Sequence, residues 1–188
     1  MKQHSGMKGY DIVVLLKVLS MAEGWSSSDL ADSLFISKSK INESLNRSKI
    51  ARLLSVDQRM VHRNAFYELI VHGLKYVFPT QAGERAVGVT TGHSSPILKA
   101  YFIFEESDQY VWPSAYGKTE GYAIQPFYPE QPLAALSDQL LYDKLALIDA
   151  IRAGRTRERN KAAELLKEIF MARYGTIIES RRITTKHQ

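Results

Sequence analysis

The 188-residue chain has no cysteine. That excludes a disulfide framework, a thiolate zinc site and a cysteine nucleophile. It also lacks a long hydrophobic run: the longest, residues 12–16, falls far short of the about 18 apolar residues that a membrane span needs. Lys2 and Lys8 precede a mixed stretch with Asp11 near its start and no small-residue cleavage site, so no secretion leader is read there. A cytoplasmic location without membrane contact is expected, and residues 1–6 are set aside from the fold reading. Catalytic signatures are scarce as well. The histidines (His4, His62, His72, His93, His187) show no metal-ligand spacing, and there is no phosphate-cradling glycine loop and no Gly-x-Ser-x-Gly. No enzyme activity, no metal and no cofactor are expected.

What the chain does have is ordinary globular composition, with 45% hydrophobic and 24% charged residues. Its charge is unevenly spread. The formal total is +5, but residues 1–99 carry 13 Lys and Arg against 8 Asp and Glu, residues 100–150 carry 2 against 8, and residues 151–188 carry 10 against 4. Two basic segments therefore flank an acidic middle. Basic segments suit a polyanion, because neutralising phosphates releases condensed counterions; solvated surfaces fit the same numbers.

Hydrophobic spacing predicts a helix over residues 10–21, with Ile12, Leu15, Leu16 and Leu19 on one face and Gly24 as its stop. Ser26-Ser27-Ser28-Asp29 is an N-cap cluster for a second, short helix carrying Leu30, Ala31 and Leu34. After a turn at Phe35 and Ile36, Ser37 caps a third helix over 38–48 with Ile41 and Leu45 inward. Ser55 with Gln58 has the form of a capping box opening a long helix to Val71, closed by Gly73. Residues 74–79 read as a strand, 80–95 as a long hairpin tip, and 101–104 and 110–112 as further short strands. From Leu133 the pattern is helical again, with an apolar ridge over 136–151 ending at Gly154 and a last helix over 155–174.

The stretch SDLADSLFISKSKINESLNR, residues 28–47, resembles the helix-turn-helix of bacterial winged-helix regulators, including the broad MarR-like group. Leu30, Ala31 and Leu34 must meet Ile36, Ile41 and Leu45 across a tight turn, which frees the outer face of the second helix for the major groove. That face holds Ser37, Lys38, Ser39, Lys40, Asn42, Glu43, Asn46 and Arg47. These side-chain types read base edges or hold phosphate. Two departures stand out: Phe35 occupies the place where such turns usually carry glycine, and an extra helix precedes the expected wing. In that wing Arg85, with Lys75, would meet the minor groove or backbone.

The fold expected is α+β, mainly α: a winged helix-turn-helix domain over 8–98, then a short β region and C-terminal helices forming a regulatory or dimerising region over 99–174, and a tail over 175–188. The function that the resemblance implies is a sequence-specific, double-stranded DNA-binding transcription regulator, a repressor acting as a homodimer, with the ridge over 136–151 as candidate interface. A protein-binding adaptor or antitoxin that at most autoregulates is the alternative. Phe102, Phe104, Tyr110, Trp112, Tyr116, Tyr122, Phe127 and Tyr128 crowd the acidic middle, as core packing or as a pocket for a small-molecule effector or partner. Arg152, Arg155 and Arg159 share one face and have two competing uses: pairing with the acids around Glu105 and Asp108, or holding phosphate.

Overall fold

Every side chain from Asp11 to Leu16 is buried. A helix apolar on all sides must be covered on all sides, and this one is. The computed structural model describes residues 6–171; the last three residues of the expected final helix and the tail over 175–188 lie outside the described residues, as do residues 1–5. The chain opens with α1 (Gly9–Val18), α2 (Ser27–Leu34) and α3 (Lys38–Ile50), followed by α4 (Arg63–Glu68) and α5 (Leu74–Val77). Next come β1 (Arg85–Thr90), α6 (Pro96–Lys99), β2 (Tyr110–Pro113), β3 (Thr119–Ala123), α7 (Gln131–Leu136), α8 (Gln139–Ala153) and α9 (Thr156–Met171). The architecture is α+β and mainly helical, with one three-stranded sheet. Helix α1 contacts α2 and α3 as well as α8, so residues from both halves of the chain share one core.

Several expectations are corrected. The long helix from Ser55 is replaced by a small hairpin: Leu54 bridges Val61, and the Ser55 amide donates to the Met60 carbonyl at 2.8 Å. The Ser55 hydroxyl does act as a cap, but for the amides of Arg59 and Met60 at 3.2 and 2.9 Å, which closes a turn rather than a helix start. The helix begins only at Arg63 and runs on through a π turn, Leu69–Gly73, into α5. Residues 74–77 are therefore helical and not a strand. Gly73 is carried inside the helix instead of ending it, buried Leu74 anchors the last turn, and the stop is Phe78, which leaves helical geometry before Pro79.

The expected hairpin tip over 80–95 contains β1, the first strand of the sheet. β1 runs antiparallel to β2 (Val89 opposite Trp112) and to β3 (Ala86 opposite Gly121), and β2 and β3 also pair in parallel, so the three strands close on one another. Such tight closure needs side-chain-free positions. A Cβ on Gly88 would lie 1.9 Å from the Trp112 carbonyl oxygen, and one on Gly117 1.8 Å from the Gly88 carbonyl carbon. Residues 101–104, expected as a strand, form none; the strand at Tyr110 is present, and β3 was not foreseen.

Asp138 divides the C-terminal helices by capping α8, accepting from the Leu141 amide at 3.0 Å. Most of the ridge expected as a dimer interface is instead core: Leu141, Leu145, Leu147, Ile148 and Ile151 are at most 1% exposed, while Leu136 at its start stands 50% exposed. Helix α9 covers α8 and α4, where Phe170 meets Phe66 and Tyr67 at ring distances of 5.6 and 6.0 Å. Two buried charges are built into α8. Asp149 accepts from Thr91 Oγ1, Trp112 Nε1 and Arg152, and burial pushes its carboxyl above the usual range despite them. Lys144 donates to the Leu16 carbonyl at 3.1 Å and to the Ser20 hydroxyl, at the C-terminal end of α1. No helix among the described residues is long and apolar enough to cross a membrane.

Candidate nucleic-acid interface

The pair α2 and α3 is built by its caps. Ser26 accepts from the Asp29 amide while Asp29 accepts from the Ser26 amide at 2.7 Å, and the Ser26 groups hold the Asp29 carboxyl below the usual carboxylate range. Helix α2 ends at Phe35 in the left-handed conformation, φ 56 and ψ 35, with the Ile36 amide reaching back to the Ala31 carbonyl at 3.1 Å. The turn is thus tight, and Phe35 does not plug the core but stands 46% exposed. Ser37 restarts the chain as the N-cap of α3, accepting from the Lys40 amide.

On α3, Ile41 and Leu45 turn inward with Ser44 and Ser48. Ser37, Lys38, Ser39, Lys40, Asn42 and Glu43 are exposed, and Asn46 is half-buried. One turn and a half of exposed polar side chains therefore stands at the N-terminal end of the helix, with Glu43 Oε2 3.6 Å from Arg47 Nη1. Arg47, expected on the same outer face, is not there. It is 7% exposed and reaches across to α1, where Nε donates to Asp11 Oδ2 at 2.8 Å and Nη2 to Oδ1 at 2.7 Å. Nη2 also donates to the Tyr10 hydroxyl at 2.9 Å. Asp11, fully buried, accepts in addition from the Lys8 amide at 2.8 Å, so one carboxylate both caps α1 and binds Arg47. A buried carboxylate is costly without such partners, which makes Arg47 the strut that fixes α3 to α1.

Arg85 stands on another element, β1, where Nε donates to Glu120 at 2.9 Å and Nη1 to the Ser107 carbonyl at 3.1 Å, with the guanidinium over the Tyr122 ring. Lys75 lies in α5 over the Tyr76 ring. Neither is part of a hairpin following the helix pair. The hairpin that does follow α3 is the one over 54–61, where Val56 is 87% and Met60 67% exposed. Its signal in the sequence was the Ser55-Val56-Asp57 turn chemistry, which serves a hairpin as readily as a helix cap. Of the aromatics in the acidic middle, Trp112, Phe127 and Tyr128 go to packing: Trp112 to Asp149, Phe127 against Phe78, and the Tyr128 hydroxyl to the Leu34 carbonyl at 2.9 Å. Phe102, Phe104, Tyr110 and Tyr122 line a cleft.

Comparison with protein-family models, curated proteins and solved structures gives no match to this chain, so the site rests on its own geometry.

Proposed function

We propose that the protein is a winged helix-turn-helix regulator that binds double-stranded DNA sequence-specifically, as a homodimeric repressor, with α3 as its reading helix and the hairpin over 54–61 as its wing. The observation that carries this reading is the division of α3 into two faces. One face is buried through Ile41 and Leu45 and tied to α1 by the Arg47–Asp11 pair, while Lys38, Ser39, Lys40, Asn42 and Glu43 are exposed on a helix preceded by a capped tight turn. In the roles proposed, Lys38, Lys40, Ser37 and Ser39 hold phosphates, Asn42 reads a base edge, Glu43 discriminates against phosphate or accepts from cytosine, and Asn46 reaches the groove floor from the next turn. Dimerisation supplies a second half-site, because one short helix offers few base contacts.

The reading is tested by the salt dependence of binding to mixed-sequence duplex DNA, followed by fluorescence anisotropy. Lys38→Ala/Lys40→Ala is expected to flatten the plot of log affinity against log salt by about two. An unchanged slope with unchanged affinity would remove α3 from the interface. Binding of another protein through this surface with no DNA affinity would make the chain an adaptor instead.

A further inference from the structure

Phe102, Phe104, Tyr110 and Tyr122 wall a cleft of about 970 Å³ that opens beside the first turn of α9. At its inner end lies His93, 5% exposed, with its ring edge-on to Phe104 and Tyr110 at centroid distances of 4.9 and 4.4 Å. His93 Nε2 is 2.8 Å from the Asp108 carbonyl oxygen. A carbonyl only accepts, so Nε2 donates to it, and in the tautomer with that single ring proton Nδ1 is an acceptor. Nδ1 is buried with no hydrogen-bond partner, and Glu158 Oε2 stands 3.8 Å away. Glu158 already accepts from the Arg155 amide at 2.9 Å as the cap of α9. Two acceptors thus lie side by side in an aromatic cleft without a donor between them. A buried polar atom left in that state costs free energy, and a ligand donor relieves it.

The mouth of the same cleft is of opposite character. Arg155 and Arg157 line it with the first turn of the 16-residue α9, whose leading amides have no partner within the helix. Arg157 lies over the Phe102 ring. Glu105 and Asp108 border the cleft from the loop, which leaves the α9 end as the favourable place for an anion. We propose that this cleft binds a guanine nucleotide, its base stacked on the aromatic walls, its adjacent N1–H and N2–H donors on His93 Nδ1 and Glu158 Oε2, and its phosphate on Arg155, Arg157 and the start of α9. The pairing of two acceptors selects guanine over adenine, which presents an acceptor beside its donor.

The proposal goes beyond DNA binding and is tested without DNA, by calorimetric titration of the whole protein with 5′-GMP, 5′-AMP and inorganic phosphate. GMP is expected to bind about tenfold or more tighter than AMP, as loss of a hydrogen bond to a charged acceptor implies, and phosphate alone more weakly still. Glu158→Gln keeps an oxygen to cap α9 but replaces an acceptor. It is expected to weaken GMP about tenfold, leave AMP unchanged and leave the melting temperature close to wild type. Preference of the wild-type protein for GMP stands as a test even where the variant fails to fold. Equal affinity for GMP and AMP, or no GMP binding at millimolar concentration, would overturn the proposal.

Discussion

Replacing Arg47 by Met separates a structural role from a reading role. The guanidinium makes two short bonds to a fully buried carboxylate and a third to Tyr10. Met matches its length and apolar stem but leaves Asp11 with the Lys8 amide as its remaining hydrogen-bond donor. Removing one partner of a buried ion pair costs about 3–5 kcal/mol. At this chain length about 2–4 °C accompanies each kcal/mol, so thermal unfolding followed by circular dichroism is expected to move down by about 6–20 °C. Asp11→Asn/Arg47→Met removes the stranded charge while keeping an oxygen for the α1 cap, and is expected to be more stable than Arg47→Met alone. An Arg47→Met protein that unfolds at the wild-type temperature but no longer binds DNA would refute the reasoning, because Arg47 would then be a reader and not a strut.

Lys144 gives a pH test: burial lowers its ammonium pKa to about 8, whereas the unfolded chain holds that proton to about 10. Between those values the unfolded state binds one more proton, so wild-type stability is expected to rise with pH relative to Lys144→Met, as measured by urea unfolding from pH 7 to 10; a constant difference would refute it. Gly88→Ala forces a methyl onto the Trp112 carbonyl and is expected to cost about 3 kcal/mol in denaturant unfolding, with a shift in tryptophan emission. Phe35→Asn is expected to raise stability by about 0.5–1 kcal/mol, since Asn tolerates the left-handed conformation and Phe35 is 46% exposed. A loss of stability there would mean that the ring packs more than its exposure indicates.

The helix pair was legible because its boundaries are written in side-chain chemistry: Ser26 with Asp29, then Ser37, each within reach of a helix start. The facing of Arg47 was not, because a guanidinium serves an outward reading face and an inward ion pair with the same chemistry. The missed signal is Asp11. A carboxylate beside the uninterrupted apolar run of 12–16 must be buried with it, and a buried carboxylate demands a cation from elsewhere in the chain. Residues 74–77 misled because their β-prone apolar character is a weak preference, overridden when a helix already running from Arg63 needs Leu74 in the core. The ridge over 136–151 was correctly apolar, yet periodicity cannot tell whether a second copy or α1 and α9 cover it. The cleft aromatics were visible, but nothing local marks His93, whose environment comes from Asp108, Tyr110 and Glu158.

The most direct measurement is selection of bound duplexes from a random DNA pool by wild-type protein and by Asn42→Ala in parallel. The expected result is an enriched two-fold symmetric sequence, its half-sites about one helical turn apart, with the base preference relaxed at one position per half-site in the variant and affinity for the wild-type site lowered by about 1–3 kcal/mol. No enriched sequence for the wild-type protein, or the same sequence at the same strength for Asn42→Ala, would contradict the assignment of α3 as the reading helix.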